Sequence, residues 1–232
     1  GANAAPIIES MEPLPIASAS IGQVHRARLP DGTRVAIKVQ HPGVVEAIES
    51  DFGPASVAGR LASWMYPAAQ IDGYVREARA RVLEECDYRA EARNQIDLAT
   101  KLAGHPVLSI PAVHLAYSTG RVLTTELVDG IHLDEFLASD PSEEQRTGFG
   151  SALFEFYVGS LLRWNVLSGD PHPGNYLRRP DGRIAILDHG CTRTLRADGD
   201  RLAAIVRVFD AEDRATIYRA TAALGSDALL LL

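Results

Sequence analysis

The tripeptide Pro-Asp-Gly occurs twice, at 30–32 and 180–182, each time between short runs that alternate apolar and polar residues. An Asp-Gly pair in that setting is a strong hairpin signal, because glycine supplies the positive φ that a tight turn needs. The first copy joins "IGQVHRARL" to "TRVAIKVQ", and the second joins "NYLRR" to "RIAILDHG". Antiparallel strand pairs are therefore expected both near the start of the 232-residue chain and well beyond its middle. A doubly wound parallel sheet does not offer that arrangement.

The intervening sequence reads mostly as helix. From "GVVEAIESDF" to "RNQIDLATKLAG" apolar residues recur every three or four positions, with breaks at Gly53-Pro54 and Tyr66-Pro67. That predicts two or three helices ending near Gly104. "AVHLAYSTGRVLTTELV" reads as strand, Thr119-Gly120 turn, strand, and runs into a short helix in "DGIHLDEFL". Ser142 and Gln145 stand at capping-box spacing before "GFGSALFEFYVGSLLRW", a helix apolar enough to be buried. No internal repeat or low-complexity tract interrupts the pattern.

Composition narrows the function. At 46% hydrophobic the chain can bury a full core, and its net charge of -7 argues against nucleic acid as a partner, since phosphate neutralisation needs clustered Lys and Arg. Basic neighbours are confined to Arg178 and Arg179. Cys86 and Cys191 have neither disulfide-scaffold nor metal-ligand spacing, which fits a reducing, cytoplasmic compartment. "GANAAPIIESMEPLP" lacks the features of a secretory signal, and no apolar run approaches the length of a membrane span.

Three chemical clusters fall at the joints of this plan. The first is "VAIK" at 35–38, whose Lys38 lies on a strand after the small-residue loop "ASASIG" at 17–22. Small residues let backbone N–H groups approach phosphates, and a strand lysine can reach the same charge. The second is "GDPHPGN", where Asp170 and Asn175 are five positions apart on a loop stiffened by Pro171 and Pro173. The third is "ILDHG", with Asp188 thirteen positions after Asn175 at the end of an apolar strand. Asp and Asn oxygens suit a hard cation such as Mg²⁺ that shares its shell with substrate phosphates. In protein kinases a base Asp, a metal-binding Asn five residues later, and a metal-binding Asp after a hairpin follow in the same order, with a strand lysine upstream.

The segments "ASASIGQVHRARLPDGTRVAIKVQHPGV", "EECDYRAEARN", "VLTTELVDG", "GDPHPGN" and "ILDHG" resemble the UbiB-like atypical kinases, which include bacterial UbiB and the mitochondrial ubiquinone-biosynthesis kinases. The resemblance implies an α+β, bilobal protein kinase-like fold. Residues 1–13 are then a leader, 14–128 an N-lobe with an antiparallel sheet and helices, and 129–232 a mainly helical C-lobe that a truncated chain would leave incomplete. It further implies ATP and Mg²⁺ as cofactors, and kinase or ATPase chemistry tied to isoprenoid quinone lipids. Lipid or quinone-biosynthesis proteins become partners beside the nucleotide, and association with the membrane is peripheral.

Carried over by residue, Lys38 pairs with the phosphates and with a helix glutamate. Glu85 and Glu91, six positions and about 240° apart on one helix, cannot both face it, and Glu91 is favoured because "ECD" at 85–87 looks like a separate acidic signature. Ala17, Ser18, Ala19, Ser20, Gly22, Val24 and Ala36 would line the nucleotide, with the backbone of Glu126 and Val128 reading the adenine edge. Asp170 is the base or water-orienting group, and Asn175 and Asp188 hold the metal. There are departures: residues 1–16 lack the family's K-x-G-Q signature, His189 replaces the Phe of D-F-G, and Ser168-Gly169 stands where His-Arg is usual. His189 is expected to pack as a neutral histidine, and His172 to serve its loop rather than a metal. A nucleotide-binding pseudokinase without turnover and a small-molecule phosphotransferase are the contrasting readings.

Overall fold

The computed structural model describes residues 5–18, 21–51, 79–80 and 82–194. The chain divides into two compact units, one of residues 1–146 and 170–191, the other of residues 147–169 and 192–232. The Gly53-Pro54 and Tyr66-Pro67 breaks, with Ala19 and Ser20, lie outside the described residues.

The first unit begins with α1 (Ala5–Ser10), β1 (Ala17–Ser18), β2 (Gly22–Arg28), β3 (Arg34–Gln40) and α2 (Val44–Asp51). It continues through α3 (Tyr88–Lys101), β4 (Leu108–Ser109), β5 (Val122–Glu126), β6 (Ile131–His132) and α4 (Leu133–Ala138). One antiparallel sheet has the order β1-β2-β3-β5. The first Pro-Asp-Gly turn, with Gly32 at φ +86°, sets its register by pairing Arg28 with Arg34 and Val24 with Lys38. Alternation then sorts the side chains. Ala27, Leu29, Val35 and Ile37 form one buried cluster with Ile7, while Ile21, Leu123, Cys86, Tyr88 and Ala92 form another. The segment read as a leader is thus partly helical and contributes Ile7 to the core.

A second sheet, ordered β4-β9-β8-β6, is built from β8 (Tyr176–Arg178) and β9 (Ile184–Ile186) around the second Pro-Asp-Gly turn, where Gly182 has φ +88°. β8 and β9 are antiparallel, but β4 joins β9 in parallel, a pairing between distant segments that no local pattern announces. Its residues Tyr176, Ile184, Ala185 and Ile186 are buried.

Two local expectations are corrected. "AVHLAYSTG" does not form a strand: Leu115–Tyr117 is a 3-10 turn, and only Val113 makes a bridge, to Thr125. Hydroxyl groups compete with the ladder here. Ser118 Oγ donates to the His114 carbonyl at 3.0 Å and accepts from the Thr124 amide at 3.0 Å, and Thr124 Oγ1 donates to the Tyr117 carbonyl at 2.7 Å. Nor do Glu85 and Glu91 share one helix. Helical residues 82–85 stop at Cys86, and the Asp87 side chain accepts from the Arg89 amide at 3.0 Å to start α3 afresh.

The capping box forms as read. The Gln145 amide donates to Ser142 Oγ at 3.2 Å and the Ser142 amide to Gln145 Oε1 at 2.9 Å, opening α5 (Glu143–Phe154). In the second unit the helix passes through a π-helical turn at Glu155–Gly159 into α6 (Ser160–Trp164). The expectation that this helix is buried fails in part: Phe149, Ala152, Phe156 and Ser160 are buried, but Phe154 and Leu162 are exposed among the described residues. The same unit pairs β7 (Val166–Ser168) antiparallel with β10 (Thr192–Thr194). No helix among the described residues is long and apolar enough to cross a membrane.

Gly22 is the tightest point of the first sheet. A Cβ there would fall on the Val39 carbonyl oxygen and 2.7 Å from the Tyr88 hydroxyl. Gly22→Ala is therefore expected to cost about 1–3 kcal/mol in urea denaturation, because backbone must move to admit the methyl group. Gly148 and Gly150, in α5 with nothing within 4 Å, should instead gain up to about 1 kcal/mol as alanine.

Candidate active site

Lys38 stands in the middle of β3 and projects toward α3. Its Nζ lies 2.9 Å from Glu91 Oε1, 3.0 Å from Oε2 and 2.9 Å from Asp188 Oδ2, and 5.1 Å from the centre of the Tyr88 ring. The side chains are 16% (Lys38), 2% (Glu91) and 34% (Asp188) exposed, so the lysine and glutamate are withdrawn from water while the aspartate keeps an open edge. A solvated helix face for Glu91 is thereby excluded.

Burial disfavours the Lys38 ammonium, but Glu91 and Asp188 outweigh it and hold the lysine charged above its ordinary range. Burial raises the Asp188 carboxyl, yet Lys38 and the Gly190 amide prevail and keep it below the usual carboxylate range. The Gly190 amide donates to Asp188 Oδ1 at 2.9 Å. Burial pushes the Glu91 carboxyl up to about 7 against the pull of Lys38, so the lasting negative charge beside the ammonium near neutral pH is that of Asp188.

The other cluster is a fastened loop. Pro173–Asn175 makes a 3-10 turn, and His172 Nδ1 accepts from the Gly174 amide at 3.1 Å, so His172 does serve its loop. The Leu187 amide donates to the Asn175 carbonyl at 2.9 Å, which ties the loop to the residue before Asp188. Asn175 Nδ2 donates to Asp170 Oδ2 at 2.9 Å. That bond fixes which end of the amide is which, and it leaves Oδ1, the atom a hard cation would use, directed elsewhere. Among the described residues no group of three or more His, Cys, Asp and Glu can hold a metal by itself. One carboxylate and one amide oxygen fit an ion that completes its shell with phosphate oxygens and water.

Of the expected nucleotide-lining residues, Ala17 and Ser18 form exposed β1 opposite Val24 and Gln23. Val24 lies across from Lys38, and Ala36 two positions before it on the same face. At the end of β5, the Glu126 amide is committed to the Ala112 carbonyl at 2.8 Å, and its carboxylate accepts from Arg179 at 3.3 Å.

His189 is fully buried, and burial pushes it down to about 4, so it is the packed neutral histidine expected; its Nε2 donates to the Ile186 carbonyl at 3.2 Å. Glu85, set apart by the Asp87 cap, accepts from Cys191 Sγ at 3.4 Å. Burial and then Glu85 push that thiol up to about 12. At pH 8 its thiolate is therefore about 10³ scarcer than that of a thiol at the ordinary value, and iodoacetamide labelling followed by mass spectrometry should find Cys191 slower by that order.

Sequence reading passed over Tyr88 and Asn94. Both stand three positions from Glu91, before and after it, the spacing that shares a helix face, so the choice of Glu91 already pointed to them.

A sheet lysine held by a helix glutamate, with an Asp–Asn loop tied to a strand ending in a third carboxylate, defines a protein kinase-like domain. The chain belongs to the ABC1 atypical kinase-like family, whose description matches residues 1–221. It is 35% identical over 187 residues to the protein Activity of BC1 Complex Kinase 3, chloroplastic, of Arabidopsis thaliana, a match covering 79% of this chain and 26% of that one. It is 34% identical over 194 residues to the atypical kinase coq-8, mitochondrial, of Caenorhabditis elegans, covering 80% and 25%. Among solved structures, the complex of Rv3197 with erythromycin from Mycobacterium tuberculosis superposes with a TM-score of 0.76 at 30% identity, covering 94% of this chain and 55% of that one. The chain thus spans only about a quarter of the length of the curated relatives named here.

Proposed function

We propose that this domain binds ATP with Mg²⁺ and transfers or hydrolyses the terminal phosphoryl group, within the metabolism of isoprenoid quinone lipids. The observation that carries the reading is the contact of Lys38 with both Glu91 and Asp188, beside a loop that presents Asp170 and Asn175. Glu91 holds the lysine ammonium in place, and the lysine offers its charge to the nucleotide phosphates. Asn175 and Asp188 hold Mg²⁺, which when bound neutralises charge on the phosphates. Asp170 accepts the proton of the attacking hydroxyl or orients the attacking water. Gly22 and the small residues before it let backbone approach the phosphates, and the Glu126 carbonyl and Val128 amide read the adenine. The lobe boundary at 128/129 and a cytoplasmic location, peripheral at a membrane, are parts of the same proposal.

The test is a thermal-shift titration with ATP, with and without Mg²⁺, paired with phosphate release. Mg²⁺-dependent stabilisation with turnover supports the reading. Stabilisation without turnover makes the domain a nucleotide-binding scaffold, and no stabilisation at all overturns the nucleotide site.

A further inference from the structure

Helix α3 holds Lys38 through Glu91, but it also grips the segment that carries Asp188. One turn after Glu91, Asn94 Nδ2 donates to the His189 carbonyl at 3.1 Å, a contact across 95 positions of sequence. We propose that Asn94 is a positioning residue for Asp188, fixing the direction in which its carboxylate meets a divalent cation. The inference rests on the reading of Asp188 as a metal ligand.

The geometry around His189 explains why one amide can do this. The His189 ring is fully buried and its Nε2 donates back to the Ile186 carbonyl, which anchors the side-chain end of the residue. Asn94 anchors the opposite, carbonyl end. The next amide, on Gly190, donates to Asp188 Oδ1, so the carboxylate is bonded to the same short turn whose middle peptide Asn94 holds. The turn is also pressed onto α3: a Cβ on Gly190 would lie 3.3 Å from Asp188 Oδ1 and 3.7 Å from Glu91 Oε2. Without the Asn94 donor the His189 carbonyl loses its partner, and the His189–Gly190 peptide, whose N–H is the donor to Asp188 Oδ1, is released to rotate. Partners that orient a metal-binding group from behind typically change metal affinity 10- to 100-fold when removed.

Three full-chain proteins test this: wild type, Asn94→Leu, which has similar size and no donor, and Asn94→Ser, which keeps a hydroxyl donor with shorter reach. The measurement is the ATP-dependent thermal shift across a Mg²⁺ titration, with a parallel ATP titration in EDTA. Asn94→Leu is expected to raise the Mg²⁺ concentration for half-maximal shift by about tenfold or more and to leave the shift in EDTA unchanged, with Asn94→Ser in between. If Asn94→Leu does not fold, Asn94→Ser against wild type carries the same comparison. A wild-type Mg²⁺ midpoint in the variants, or an equal loss of ATP binding in EDTA, overturns the positioning role alone. A wild-type protein whose ATP response ignores Mg²⁺ overturns the metal reading of Asp188, and this inference with it.

Discussion

Asp170→Asn is expected to lower phosphate release by two or more orders of magnitude, about 3 kcal/mol or more in the barrier, while ATP binding in Mg²⁺ stays near wild type. The substitution removes the carboxylate but keeps its shape, and an amide oxygen at that place can still accept from Asn175 Nδ2, which now bonds Asp170 Oδ2 at 2.9 Å. The loop therefore keeps its form and loses only its proton acceptor. Asp188→Asn should behave oppositely. It weakens the ion pair at 2.9 Å that holds Lys38 and removes a charged metal ligand, so Mg²⁺-dependent stabilisation by ATP should fall along with turnover. Thermal shift and phosphate release on the two variants separate the roles; an Asp188→Asn protein that binds Mg-ATP as tightly as wild type would remove the metal assignment.

The second large effect concerns stability. Glu91 is 2% exposed and holds the Lys38 ammonium with both oxygens, so Glu91→Leu strips a buried cation of the more buried of its two counter-ions. Breaking such a pair from one side typically costs about 3–5 kcal/mol, whereas replacing both members with apolar groups of similar volume is often neutral. The double variant Lys38→Met with Glu91→Leu should thus recover part of the stability lost in Glu91→Leu, the rest being withheld because Asp188 loses its counter-ion, and it is expected to be inactive. Urea denaturation of the four proteins in the cycle measures this. Equal losses in the single and double variants would show that Glu91 contributes through packing and not through charge.

What could be read from the sequence was mostly local in its causes. The two Pro-Asp-Gly hairpins, the Ser142–Gln145 box and the His172 loop each depend on residues a few positions apart, and each formed. Lys38 and Glu91 are 53 positions apart. Chemistry and family resemblance pair them, with Glu91 favoured through the separate "ECD" signature, whereas the angular argument that Glu85 and Glu91 cannot both face Lys38 assumes one helix that Asp87 in fact interrupts. The segment "AVHLAYSTG" has the alternation of a strand and forms none, because Ser118 and Thr124 supply hydroxyls that close a turn instead. The parallel β4–β9 pair and the Asn94–His189 contact join segments whose proximity only the tertiary fold determines.

The cap at Asp87 also bears on which changes of chain length this domain tolerates. Glu91, Asn94 and Gln95 leave one face of α3 for three different places: Lys38, the His189 carbonyl and, through Gln95 Nε2 at 2.7 Å, the Pro111 carbonyl. A single residue inserted between Asp87 and Glu91 would turn all three by about 100° and detach them together. An insertion ahead of Asp87 leaves that phase untouched, because the helix takes its start from the cap and not from the chain before it. Insertions and deletions among natural relatives should accordingly gather upstream of Asp87 and be scarce between Asp87 and Gln95.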